Sequence, residues 1–454
     1  MTSEAVPIDS TDTTARDTRV RYGVLVLLAF ASISAYLTRI CISTANTTIQ
    51  RELKLDSEQM GVVMAAFFIG YAWFQIPTGW LGLRYGARWT MAALSVATSL
   101  CSIWTGLAAG IGQLWWSRVG LGVCQAGLVP CAGRAVLDWF PPAGRGRASS
   151  AITSCMSLGA VIAQGLTALL LLPLGWRGVF FAYSAVGVLW AAAFAFYFRD
   201  LPAEHPGVNQ AERDLIGVSE GGRAGAGAKS DEIPMPERIR RSALLVGSML
   251  RSSSAWMICG QAVFRAFVAA FFLTWFPAFL EKGHGVKLQD TGMLAMAPLA
   301  ASVFGGIVGG VLVDRLYVKT KSKWISRSGL GAVAMLLTAL SQAVATTASS
   351  PSGLVMILAA GAFCFALSSP ASWAATMDIS GRHTQFMFAV GNMAGNLGAM
   401  SCATVIGSLI KRIEETHGDW NTVLWVYVGV SLAGAVSWAF LNPNRSAVED
   451  PVRG

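Results

Sequence analysis

The sequence predicts an all-α polytopic membrane protein, with twelve transmembrane helices arranged as two six-helix bundles. Three observations lead there. The 454 residues are 54% hydrophobic and only 13% charged, about half the charged share usual in soluble proteins. Apolar runs of roughly 20 residues recur along the whole chain, each long enough for the ~30 Å hydrocarbon core of a bilayer. A polar, glycine-rich interval splits those runs six and six. This composition excludes a large soluble helical enzyme.

The spans fall at 22–45, 60–82, 89–110, 113–137, 149–172, 177–198, 254–280, 290–313, 327–346, 353–377, 384–410 and 420–441. Residues 1–21 form an N-terminal tail, polar and rich in Thr and Asp, without the apolar core of a signal peptide. Residues 22–200 make the first bundle and 254–441 the second, with 442–454 as a C-terminal tail. The linker, 201–253, carries the flexible stretch 221–227, rich in Gly. A basic stretch with Arg238, Arg240 and Arg241 follows it and is suited to the membrane surface.

Charge sets the orientation. Of the 34 Lys and Arg, 23 fall in the tails and the loops on the side of the termini, and seven in the opposite loops. That bias places both termini in the cytoplasm and accounts for most of the +9 net charge. The basic residues are not interleaved with stacking aromatics, so nucleic acid is not an expected partner. All eight cysteines lie in apolar segments without metal-ligand or redox spacing and read as small core residues. No cofactor or metal is expected.

The first span carries a narrow polar stripe. Ser32, Tyr36, Arg39, Ser43 and Asn46 stay within roughly 80° of arc at about 100° per residue. An ionisable group at membrane depth is costly and faces a cavity or a partner. Arg39, Arg118, Arg134 and Arg265 lie within spans, whereas no Asp, Glu or His lies deep in one. An arginine is always charged, so unpaired arginines lining a cavity call for an anionic ligand gripped by the guanidinium fork. Arg39 and Arg118 come out at a similar depth, roughly 7–11 Å below the outer surface by the helical rise. The bland reading gives these arginines backbone carbonyls as partners, and for Arg265 that reading is preferred. Tyr71 and Gln75, like Asn392 and Asn396, are spaced i,i+4 and share a face.

The halves repeat. Gly79-Trp80-Leu81-Gly82-Leu83-Arg84 after span two corresponds to Gly310-Val311-Leu312-Val313-Asp314-Arg315 after span eight. Ser157-Leu158-Gly159-Ala160 echoes Asn396-Leu397-Gly398-Ala399. Paired six-helix repeats with a site at their interface are a recurrent transporter architecture. The stretches 79–88, 138–148, 200–216 and 273–277 resemble loop and helix motifs of the major facilitator superfamily. More narrowly, they resemble its anion:cation symporter family, which includes sugar-acid transporters and sialin.

The resemblance implies a carrier for a small organic anion such as a sugar acid, working as a monomer in the lipid bilayer. The membrane implied is a bacterial inner membrane. It assigns substrate contacts to Arg39, Arg118, Tyr36, Tyr71, Gln261, Ser369, Trp373 and Asn392. The family's two proton-carrying carboxylates fall on Thr38 and Gln125, neither of which titrates at physiological pH. Transport without proton coupling follows as the expectation. The alternatives are a proton- or sodium-coupled organic-anion or phosphate symporter, and a non-transporting sensor of the same fold. A membrane-embedded enzyme would need a cluster of acids, bases or metal ligands, which the spans lack. Arg84, Arg88, Asp138, Asp314 and Arg315 are the gating residues by this resemblance. With Leu83 at the usual acidic place of the first loop motif, Asp138 is expected to partner Arg88.

Overall fold

The computed structural model describes residues 17–216, 247, 249–381 and 384–444. Among them all regular structure is helical. In chain order the first half holds α1 (Val20–Thr44), α2 (Asn46–Leu53), α3 (Ser57–Tyr85), α4 (Ala87–Leu107), α5 (Ile111–Gln125), α6 (Leu128–Trp139), α7 (Pro142–Tyr197) and α8 (Gln210–Ile216). The second holds α9 (Ser253–Thr274), α10 (Phe276–His284), α11 (Leu288–Thr320), α12 (Leu330–Ala345), α13 (Pro351–Ser380), α14 (Thr384–Thr416) and α15 (Asn421–Phe440).

Eleven stretches are long and apolar enough to cross a membrane. The 56-residue α7 is two crossings in one. A straight rod of that length would run about 84 Å, far beyond a bilayer. Pro173 and Gly175, at φ 63°, turn the chain back, and twelve crossings result, as the sequence predicts. Other spans are interrupted. The predicted 113–137 is α5 and α6 with a turn at Ala126 and Gly127, and the predicted 254–280 breaks at Trp275, where Pro277 starts α10. The polar stripe likewise does not lie on one helix, because α1 ends at Thr44 and Asn46 opens α2. Residues 1–16, 217–246 (with Arg238, Arg240 and Arg241), Ser248, Arg382, His383 and 445–454 lie outside the described residues.

α1 has no side-chain cap of its own, and Arg19 before it takes φ 58°. Its first N–H groups are capped from across the chain. Val20 N and Arg21 N donate to the Glu212 carboxylate at 3.0 and 3.1 Å, and Arg21 Nη1 and Thr18 Oγ1 join them at 3.1 and 2.5 Å. An anion suits a helix N-terminus, and Glu212 is fully buried on α8. The segment before α8 is anchored too. Trp139 Nε1 donates to Arg199 O, Asp200 accepts from Arg88 N, and His205 packs edge-on against Trp139 and Tyr197. Burial and the nearby Arg199 charge hold the His205 imidazole below its ordinary pKa. The motif in 200–216 is therefore a structural strap.

The face carrying α2 and α10 is termed distal, and the face carrying the described chain ends proximal. α3 runs along α14 and α7 along α11, joining the halves. The distal contacts are backbone-close. A Cβ on Gly61 would collide with the Ala403 carbonyl, and one on Gly407 would come within 2.7 Å of Ser57 O. Close approach of this kind needs glycine on both helices. Gly61→Leu should hold the halves apart distally while leaving each bundle folded. Hydrogen exchange would then rise across 46–57 and 276–288 and stay low inside the bundles; unchanged exchange at those segments would contradict the packing argument.

Candidate functional site

Arg39 lies five residues before the end of α1, half-buried, with its guanidinium bounded by three rings. The centroids of Tyr36, Phe67 and Tyr71 are 4.8, 4.4 and 4.8 Å from its Cζ. Phe67 and Tyr71 are i,i+4 on α3 and stack at 5.6 Å. Each ring face stabilises the cation without using its donors. Nε donates to Gln125 Oε1 at 3.2 Å. Among the described residues neither Nη of Arg39 has a hydrogen-bond acceptor, so the planar fork is held in place with its terminal N–H groups free.

Arg118, on α5, is buried and otherwise engaged. Its Nη1 and Nη2 donate to the carbonyls of Thr38 and Arg39 at 3.4 and 3.1 Å, while Nε is buried without a partner. The carbonyl contacts brace α5 against α1. α3 and α5 in turn approach through glycines: a Cβ at Gly122 or Gly70 would run into the carbonyl of Phe67 or Val119.

Thr38 and Gln125 meet. Gln125 Nε2 donates to Thr38 Oγ1 and to Ala35 O, both at 3.0 Å, and Thr38 Oγ1 donates to Ala35 O at 3.0 Å. Where the resemblance expects two carboxylates, the chain holds a neutral hydrogen-bonded pair that touches Arg39. Behind it lies a cavity of about 40 Å³, lined by Ser34, Thr38, Ser95, Thr98, Ser99 and Gln125 among others. Ser99 Oγ is buried there without a partner. The space and the hydroxyls suit an ordered water.

The second half contributes from α9, α13 and α14. Gln261 is buried, and its Nε2 donates to Ile258 O and Ser372 Oγ. Arg265 Nη2 donates to Ser369 Oγ at 2.7 Å, with Cζ 5.6 Å from the Phe365 centroid and Nε unpartnered. Its partner is a hydroxyl, whereas carbonyl pairing was the expectation. Asn392 Nδ2 reaches across the halves to Gln75 Oε1 at 2.7 Å. Trp373 stands apart: it is 60% exposed and packs on Phe388.

The expected Asp138–Arg88 pairing does not form. Asp138 pairs with Arg134 at 2.7 Å, one helical turn away, and Arg88 spends its guanidinium on the Ala195 carbonyl. Arg84, Asp314 and Arg315 are exposed and make no ion pair among the described residues. Sequence reasoning also passed over Phe67. Its signal was the i,i+4 spacing to Tyr71.

Comparison with known proteins adds to this geometry. The sequence profile of the Major Facilitator Superfamily matches residues 28–401. A protein of Cupriavidus necator, named as a probable sulfoacetate transporter, is 27% identical over 425 residues and aligned over 94% of each chain. A probable galactarate/D-glucarate transporter of Bacillus subtilis is 28% identical over 431 residues, 93% of this chain and 91% of its own. Among solved structures, a D-xylose–proton symporter gives a TM-score of 0.70 at 14% identity, covering 93% of this chain and 98% of that one. A bacterial homologue of the human lysosomal transporter Spinster, in an inward-facing unoccupied conformation, gives 0.68 at 20% identity, covering 93% and 95%. These two likenesses concern the fold.

Two substitutions separate the arginines. Arg39→Lys keeps the charge but loses the fork and should weaken anion binding about tenfold or more without moving the melting temperature. Arg118→Met removes a buried cation that has no counter-ion, so the melting temperature should not fall. A clear fall would mean that the carbonyl brace outweighs the desolvation cost.

Proposed function

Because the chain belongs to the Major Facilitator Superfamily, we propose that it is a secondary transporter carrying a small organic anion by alternating access between its two bundles. The observation that carries this reading is Arg39, a guanidinium at membrane depth with free Nη groups, aromatic walls and no carboxylate. A substrate carboxylate or sulfonate supplies the missing charge. Arg118 adds positive potential behind it. Arg265, across the interface with Nε unpartnered and Ser369 beside it, suits a second acid group or a hydroxyl. Diacids and acid–polyol substrates are therefore favoured over plain monoacids. The curated relatives named for sulfoacetate and for galactarate or glucarate support the same substrate class.

Coupling follows from Thr38 and Gln125. Neither carries a proton, and the site has no other titratable acid, so the carrier works as a uniporter or an anion exchanger. A second reading, coupling to sodium, draws on the hydroxyl-lined cavity behind that pair. In the cell the proximal face is cytoplasmic, as the charge bias requires, in a bacterial inner membrane, and the monomer is the working unit.

Uptake of labelled galactarate into proteoliposomes tests these points. It should equilibrate without a gradient, ignore an inward proton gradient, and drop about tenfold or more in Arg39→Ala. Accumulation that requires the proton gradient would overturn the uncoupled mechanism. Accumulation that requires a sodium gradient would select the second reading. Gln125→Glu should make the flux pH-dependent, because it returns a titrating acid beside Arg39.

A further inference from the structure

The internal repeat relates positions about 231 apart, as Gly79 to Gly310. That offset also relates Ser43 to Thr274, Gln50 to Glu281, and Arg51 to Lys282. At the distal face these equivalents meet one another. Ser43 Oγ donates to Thr274 O at 2.7 Å across 231 residues, the contact of a position with its own counterpart. Arg51 pairs with Glu281, and Lys282 Nζ donates to Gln50 Oε1 at 2.7 Å. Each residue thus contacts the neighbour of its counterpart, the crossed pattern of a two-fold interface, formed by α2 and α10 within one chain.

Further groups tie into the crossing. Thr47 Oγ1 donates to Glu281 Oε2 at 2.5 Å, and Lys282 pairs with Glu414 at 2.7 Å. Glu414 Oε2 accepts from Ser57 Oγ at 2.9 Å. At one side Lys411 pairs with Asp56 and Glu58 at 3.2 and 2.9 Å. Burial tends to raise the Asp56 pKa, but the Gln59 N–H and Lys411 outweigh it, and the carboxyl is held below its ordinary range. Among the described residues every ion pair between the two halves lies on this face. Among the same residues the proximal face has none, and its motif residues Arg84, Asp314 and Arg315 make no ion pair there.

We propose that the crossed contacts Arg51–Glu281 and Lys282–Gln50, buttressed by Glu414, are the distal gate, and that the Arg51–Glu281 ion pair, with Lys411 against Asp56 and Glu58 beside it, sets the balance between distal-closed and distal-open forms. The gate is built to be reversible. The Arg51 side chain is 69% exposed while that of Glu281 is 13% exposed, and a pair open to solvent on one side shifts an equilibrium by about two- to fivefold. Several such pairs on one pseudo-symmetric seam can hold the empty carrier closed and still yield within a transport cycle. The candidate site contains no carboxylate, and the ion pairs that join the two halves among the described residues are those of this seam.

Because the gate belongs to the carrier cycle proposed above, it is tested without substrate, so that a wrong substrate class and a wrong gate give different results. Spin labels on noncanonical amino acids at the exposed positions Lys54 and Lys287 would report the width of the distal face by double electron–electron resonance in nanodiscs. Arg51→Ala or Glu281→Gln should raise the long-distance population about two- to fivefold. The exchanged pair, Arg51→Glu with Glu281→Arg, should return it toward the parent distribution. Raising sodium chloride from about 0.05 to about 0.5 M, which shortens the screening length severalfold, should widen the parent protein and move Glu281→Gln less, since only the Lys411 pairs with Asp56 and Glu58 remain to be screened there. Singles that match the parent, or a parent indifferent to salt, would overturn the gate. So would an exchanged pair as open as the singles, provided it elutes as a folded monomer. If it does not fold, the salt response of the parent decides.

Discussion

A guanidinium at membrane depth must be compensated, and the centre of this molecule is arranged around doing so without a carboxylate. Arg39 and Arg118 solve the problem in different ways. Arg118 is buried and commits both Nη groups to α1 carbonyls, with Nε left unpartnered, so it contributes potential and bracing. Arg39 receives ring faces and one amide oxygen, which orient it and leave its terminal donors unspent. Ring faces lower the cost of the charge but cannot replace hydrogen-bond acceptors. On the proposed reading, the remaining deficit is what an anionic ligand fills.

The same economy of charge shapes the rest of the fold. α3 and α5 come close enough to place Phe67, Tyr71 and Gln125 around Arg39 because glycines at 70 and 122 let backbones touch. The start of α1 is fixed by Glu212 from the strap, so the helix that carries Arg39 is tied down at the proximal end by its own bundle. At the distal end it continues into α2, which meets the other bundle. The candidate site and the seam thus lie about one helical turn apart, Arg39 and Ser43 both being near the distal end of α1, which gives a physical route by which occupancy of one can bias the other.

Much of this was legible in the chain. Apolar length gave the spans, the Lys and Arg bias gave a sidedness, and the repeat of Gly79 at Gly310 gave the offset that later explains α2 against α10. The stripe on α1 pointed to Arg39 because helical periodicity is local. What stayed hidden was partner choice between elements. Asp138 had Arg134 one turn away, at the i,i+4 spacing that helices favour, yet the longer-range Arg88 was preferred on motif grounds. Arg118 could not be distinguished from Arg39 by depth, because commitment to carbonyls depends on which way α5 faces. Arg265 was assigned carbonyls and found Ser369 for the same reason. The contacts of Glu281 and Glu414 were invisible because each requires knowing how two bundles dock.

The neutral Thr38–Gln125 pair has a consequence for the cycle on the proposed reading. In a carrier whose site holds carboxylates beside its arginine, protonation can balance the empty site. Here the empty site keeps the Arg39 charge uncompensated, and a bound monoanion cancels it. Moving an uncancelled charge through part of the membrane field costs energy in proportion to the potential, about 2.3 kcal/mol per charge for a full 100 mV. The loaded carrier crosses with less net positive charge, only Arg118 and Arg265 keeping theirs, whereas the empty one returns with all three. Reorientation is then easier with an anion aboard in both directions, and exchange of one anion for another outpaces net uniport. A hydroxyl and an amide at these two positions hold Arg39 by a neutral hydrogen bond and, on the proposed reading, shift the cost of the cycle onto the empty return step.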